Sequence, residues 1–305
     1  MGELTVPLFS KVYPQRSGTP QTVLMLHGWG LNHAVWAQTA EALSEMAEVH
    51  CIDLPGHGKS ELLDGWKGLK IGLLQHTVDA ISAMLSRLEK PVTLVGWSLG
   101  GHVAMHVALQ YPAHIARLVL VSATPCFGER DDWPHAMAQK SLTDFSQRLQ
   151  TNQATTIRSF LCLQMLNLAN AKSVAQALAT QLAAHGEASA EALQCWLDVL
   201  EQSDVRGEIS RLENMPLMIV QGGRDMLVPV SCGDWLSAAL PHAQYLRIDD
   251  AAHAPFVSHE AVFTDGLKRF LRDEIGNTDI LPPPLSLGGR EEQTQSVLVL
   301  TVSHD

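Results

Sequence analysis

Apolar runs rich in β-branched residues recur along the chain at 22–26, 49–53, 92–95, 118–121, 217–221 and 245–248, separated by stretches of helical periodicity. Strand-like runs alternating with helices predict a parallel sheet covered on both faces. The alternation lapses between about 124 and 206. Helical patterns at 141–150, 155–168, 173–185 and 190–202 replace it, and the strand signal returns after Met215-Pro216. The expected fold class is therefore α/β, with a mostly parallel central sheet and an inserted helical cap. The expected division is a core of residues 1–123 and 206–276, a cap of 124–205 and an appended tail of 277–305. The tail carries Pro282-Pro283-Pro284, Gly288-Gly289 and Glu291-Glu292, which break regular structure. It reads as loosely ordered, although its β-prone stretch at 296–302 could dock as a strand.

The run at 92–95 leads into Gly96-Trp97-Ser98-Leu99-Gly100-Gly101 and then a segment with small residues at Ala104 and Ala108. Strand, G-x-S-x-G, helix is the pattern of a nucleophile elbow, in which the serine sits on a strained turn at the sheet edge. The following helix directs its N-terminal amides at the same point, where developing negative charge is favoured. A serine hydroxyl is a weak nucleophile until a base takes its proton and a carboxylate orients that base. Asp225 lies beyond the run at 217–221, and His253 lies beyond the run at 245–248, which completes the chain order Ser98, Asp225, His253. Asp249 and Asp250 are alternatives for the acid, and His259 is the nearest alternative base. Two backbone amides are expected to form the oxyanion hole, those of Leu99 and of Trp29 in the loop Leu26-His27-Gly28-Trp29-Gly30.

Composition narrows the class. A chain of 305 residues with 46% hydrophobic residues is long enough for one large domain or two modest ones. A net charge of −11 disfavours nucleic acid as a partner. Neither a membrane-length apolar stretch nor a signal-peptide pattern is present, so a cytoplasmic protein is expected. The five cysteines are scattered without C-x-x-C spacing, which suits reduced thiols. Gly58-Lys59-Ser60 lacks the first glycine of a phosphate loop, because Asp53 stands there, and residues 53–58 read instead as a turn after a strand. Gly28-x-Gly30 lacks the third glycine of a dinucleotide fingerprint, since His33 takes that place. No metal-ligand spacing is found, so no metal and no redox cofactor are expected.

The segments Leu26-His27-Gly28-Trp29-Gly30-Leu31-Asn32 and Gly96-Trp97-Ser98-Leu99-Gly100-Gly101 carry a resemblance beyond the fold. So do Pro125-Cys126-Phe127 with Asp132-Trp133-Pro134, Phe160-Leu161-Cys162-Leu163-Gln164 and Ala251-Ala252-His253-Ala254-Pro255-Phe256. Over roughly residues 20 to 272 the chain resembles the BioH family, the pimeloyl-acyl-carrier-protein methyl ester esterases of biotin synthesis. That resemblance implies an α/β-hydrolase that frees the ω-carboxylate of a carrier-linked dicarboxylate and releases methanol. It implies Trp29 and Leu99 as oxyanion donors. It also implies a substrate pocket of Trp29, Ser98, Leu99, His253 and the cap residues Phe160, Leu161, Cys162, Leu163 and Gln164. Read without the resemblance, those cap residues could equally be helix core.

The implied partner, an acidic acyl-carrier protein, would need cap cations to dock, for which Lys140, Arg148, Arg158 and Lys172 are the candidates. Small-molecule esters are a second expected substrate class, and a monomer is expected. General short-chain carboxylesterases and C–C bond hydrolases share the elbow and triad, because substrate choice lives in the cap. A ligand receptor that keeps the fold without catalysis is the alternative from another class.

Overall fold

The computed structural model describes residues 8–18, 20–62, 70–88, 90–164, 171–273 and 299–301. The strands are β1 (Ser10–Tyr13), β2 (Thr22–Leu26), β3 (Glu48–Ile52), β4 (Val92–Trp97), β5 (Ile115–Val121), β6 (Leu217–Gly222), β7 (Gln244–Ile248) and β8 (Val299–Thr301). They form one sheet in the order β1-β3-β2-β4-β5-β6-β7-β8. Among the described strands, β1 runs antiparallel to its neighbour and the other pairings are parallel. The chain winds outward in one direction from β2 to β3 and in the other from β4 onward. The carboxyl ends of β2 and β4 therefore flank the point where strand order reverses, and Leu26 pairs with Gly96 there. Open α/β sheets leave their crevice at such a point.

The central strands β2, β4 and β6 are largely apolar because both faces of the sheet are covered. Leu24, Leu26 and Leu94 enter one buried cluster, shared with Leu99 and Val103 of helix α3 (Leu99–Gln110). Their neighbours Val23, Met25 and Val95 enter the other, with Leu43 of α1 (Ala37–Leu43). The two-residue side-chain period of a strand produces this division. The other core helices are α2 (Lys70–Leu85), α8 (Val230–Ala239), α9 (Pro255–Ser258) and α10 (Glu260–Leu271).

Among the described residues, the α-helices between β5 and β6 are α4 (Gln139–Thr151), α5 (Gln153–Gln164), α6 (Ala171–His185) and α7 (Ala190–Gln202). The ends of this insert meet where Cys126 and Asp204 form an antiparallel bridge. Side chains fasten the insert to the loops after β2 and β3. Trp29 Nε1 donates to the Leu193 carbonyl at 2.9 Å, Trp196 Nε1 to the Pro55 carbonyl at 3.0 Å, and Asn32 Nδ2 to the Gly186 carbonyl at 2.9 Å.

The expected strands are all present within a few residues of their expected ends. β1 carried no sequence signal, since its half-exposed Ser-Lys-Val-Tyr is an edge strand with no apolar alternation. In the tail, β8 pairs in parallel with β7, matching Val299 to Tyr245. The β-prone stretch thus supplies a docked strand, while residues 274–298 and 302–305 lie outside the described residues. Among the described residues no helix is long and apolar enough to cross a membrane. None of their His, Cys, Asp and Glu side chains group to hold a metal ion.

Candidate active site

Ser98 follows β4 with φ 55° and ψ −115°, outside the regions open to an L residue, and its amide is held by the Val121 carbonyl at 3.0 Å. Such a conformation persists only where its surroundings over-determine it. Here the backbone leaves no room for alternatives: a Cβ on Gly96 would stand 2.3 Å from the Gly100 carbonyl oxygen, and one on Gly100 would stand 2.4 Å from that of Leu26. The glycines of the elbow allow α3 to press against β2 and β4. Leu99 is the first residue of α3, so its amide has no intrahelical carbonyl to bond.

His253 sits in the loop after β7 and is buried, as is Asp225 in the loop after β6. His253 Nδ1 lies 2.8 Å from Asp225 Oδ2. The other carboxylate oxygen accepts the amides of Leu227 at 2.8 Å and Val228 at 2.9 Å. An acceptor on Nδ1 places the ring proton there and leaves the Nε2 lone pair free. His253 Nε2 is buried and has no hydrogen-bond partner among the described residues. The alternatives drawn from the sequence are engaged elsewhere. Asp250 pairs with His259 Nε2 at 3.0 Å, and Asp249 accepts from Arg247 Nε at 2.8 Å. The two loops lock together because Gly222 and Gly223 let the backbones touch, with Arg224 N–H donating to the Ala251 carbonyl at 2.9 Å.

Two supporting residues went unassigned at the sequence level. Gln221 Nε2 reaches Asp225 Oδ2 at 3.3 Å and the Val228 carbonyl at 3.0 Å, orienting the carboxylate from the end of β6. The signal was a lone amide in an otherwise apolar strand. Trp97, fully buried, donates from Nε1 to the His253 carbonyl at 2.8 Å and sets the height of the histidine loop.

The loop after β2 forms a turn in which Leu31 N–H donates to the Gly28 carbonyl at 3.3 Å, with Trp29 and Gly30 at its centre. Asp53 underpins the neighbouring loop, accepting the amides of His33 at 2.6 Å and Lys59 at 2.9 Å. Burial alone would raise its carboxyl, but the His33 hydrogen bond, nearby His27 and these amides hold it below the usual carboxylate range. Residues 53–58 form a turn after β3, as expected, and Lys59 and Ser60 close it onto Asp53.

The comparisons fit this geometry. Residues 21–260 match the model of the α/β hydrolase fold family. The structure is similar to a bromoperoxidase from Bacillus anthracis, with a TM-score of 0.78 at 22% identity over 88% of this chain and 96% of that one. It is also similar to an esterase from Exiguobacterium antarcticum, with a TM-score of 0.77 at 19% identity over 87% of this chain and 95% of that one. Such identities speak to the fold alone. Closer in sequence is a pimeloyl-[acyl-carrier protein] methyl ester esterase of Chromobacterium violaceum, 35% identical over 86% of this chain and 99% of that protein. One of the same name from Xanthomonas campestris is 37% identical over 83% of this chain and 96% of that protein. The chain belongs to the pimeloyl-[acyl-carrier protein] methyl ester esterase family.

In this esterase, the stretch 160–164 forms the end of α5 and divides between two environments. Phe160, half-buried, meets the Trp29 ring edge-on at 5.1 Å and the Phe145 ring at 5.5 Å, over the expected oxyanion turn. Leu161 and Cys162 instead line a cavity of about 800 Å³ with Gly30, Ile157, Arg158 and Ala179. Leu163 is half-buried and Gln164 is buried. Of the cap cations, Lys140 pairs with Asp144 at 2.7 Å and Arg148 donates to the Asp144 carbonyl at 3.2 Å. Arg158 is exposed at the cavity and has no ion pair among the described residues. The Lys172 side chain lies outside the described residues.

Proposed function

We propose that this protein hydrolyses the methyl ester of pimeloyl-[acyl-carrier protein] to the free carboxylate and methanol, serving biotin synthesis, through an acyl-enzyme on Ser98. The observation that carries the reading is the 35% identity spanning 99% of the Chromobacterium esterase. The free Nε2 of a histidine whose Nδ1 is tied to Asp225 supports it. In this mechanism Ser98 Oγ attacks the ester carbonyl while His253 Nε2 takes its proton. The tetrahedral oxyanion is held by the amides of Trp29 and Leu99, and His253 then protonates the departing methoxide. Water, deprotonated by the same nitrogen, releases the acid and regenerates Ser98. No step calls for a metal or cofactor. The enzyme is read as a cytoplasmic monomer that takes carrier-linked and small esters and binds neither nucleic acid nor membrane.

The test is direct: purified protein is given the methyl ester of the pimeloyl-carrier, and methanol and free acid are measured. Equal turnover of small acetates with no turnover of the carrier-linked ester would replace this reading with a general carboxylesterase. Phe160→Ala is expected to slow medium-chain methyl esters by about ten- to a hundredfold, the cost of one lost aromatic contact, while acetates change little. Equal losses on both would mark Phe160 as packing. Arg158→Glu is expected to raise the KM for the carrier-linked ester several-fold at low salt, with the difference shrinking as salt is added. Unchanged KM at low salt would remove Arg158 from the docking surface.

A further inference from the structure

The turn after β3 reaches the loop after β2 through one side chain. His57 is buried, and its Nε2 accepts the Gly30 N–H at 3.2 Å while its Nδ1 faces the Pro55 carbonyl at 3.2 Å. The two contacts define one tautomer, with the proton on Nδ1 and an acceptor at Nε2. His27 is held in the same way, its Nε2 accepting the Leu54 N–H at 3.0 Å and its Nδ1 donating to the Gly28 carbonyl at 2.8 Å. Burial, with His27 alongside, pushes the His57 imidazole down to about 3, so it stays neutral and able to accept.

Gly30 is the residue that matters in this turn. It has φ +73° and sits third in the Gly28–Leu31 turn, where a type II arrangement needs a positive φ. The central peptide, linking Trp29 to Gly30, is the unit whose rotation distinguishes type I from type II. His57 grips the N–H of that peptide. The loop carrying His57 is also the seat of the insert, since Ser189 N–H donates to the Gly56 carbonyl at 3.0 Å and Trp196 Nε1 donates to the Pro55 carbonyl.

We infer that His57 is a positioning residue for the reaction: its imidazole holds the turn that presents the Trp29 amide to the oxyanion and ties that turn to the seat of the insert. The inference rests on the hydrolase reading above. Removing an oxyanion donor outright costs about a hundred- to a thousandfold in kcat, and loosening its support should cost part of that.

His57→Ala and His57→Gln would be assayed on a small methyl ester, with active enzyme counted by fluorophosphonate titration. Affinity for an alkyl boronic acid, which forms a tetrahedral adduct on serine, would be measured in parallel. The expected result for His57→Ala is a kcat about ten- to a hundredfold lower per active site, KM within about twofold, and boronate affinity weakened by a factor similar to that in kcat. His57→Gln should recover part of both, because its amide oxygen can accept the Gly30 N–H. The inference is overturned if kcat per titrated site matches the parent in both variants, or if KM rises while boronate affinity is unchanged. Failure of the hydrolase reading looks different, since the parent protein would then show no Ser98-dependent hydrolysis at all.

Discussion

Ser98→Ala and His253→Ala are each expected to remove ester hydrolysis, by roughly a millionfold in kcat at the upper end for residues that act as one unit. The double variant should be no slower than either single one, because a base without its nucleophile and a nucleophile without its base are equally idle. Rates from purified proteins, checked for fold by circular dichroism, decide the matter. A double variant far slower than both singles would show that the two side chains act separately. Alanine keeps the Cβ and so keeps the strain of φ 55° and ψ −115°. Ser98→Gly should be equally inactive but more heat-stable, since glycine adopts that backbone without the penalty of about 1–3 kcal/mol. A glycine variant that melts no higher than the alanine variant would mean that the elbow is not strained.

Asp225→Asn should cost about ten-thousandfold in kcat with the fold intact, and the local hydrogen bonds say why. Oδ1 accepts two backbone amides, from Leu227 and Val228, so the asparagine oxygen must stay there. The amide nitrogen then occupies the place of Oδ2, 2.8 Å from His253 Nδ1. It donates to that nitrogen and drives the ring proton to Nε2, where no lone pair remains for Ser98. The NH₂ also meets the Gln221 amide donor at 3.3 Å, which weakens the second support of the site. Steady-state kinetics on a small ester test this, and an asparagine variant within tenfold of the parent would remove Asp225 from the relay.

Much of this was legible in the chain because it is local. The strand at 92–97 is fully buried and therefore reads as a largely apolar run, and the elbow that follows needs its glycines within a few residues of Ser98. Residues after strands fall at the carboxyl edge of a parallel sheet whatever the details of packing, so Ser98, Asp225 and His253 could be placed there from chain order. The family resemblance followed from the same short segments.

What the chain did not disclose depends on partners far apart in sequence. Asp225, Asp249 and Asp250 all follow strands, and only the packed loops show that Asp225 meets His253 while Asp250 is taken by His259. Trp97 bonding to the His253 carbonyl, 156 residues away, and His57 bonding to Gly30, 27 residues away, leave no periodic trace. Periodicity reports which way a side chain faces, but a buried donor's choice of acceptor is settled by which loops the sheet order brings together. That is why strands, elbow and the order of the proposed triad could be read from residues alone, while the supports of the proposed triad and oxyanion turn emerged only when β3, β2, β4, β5, β6 and β7 stood side by side.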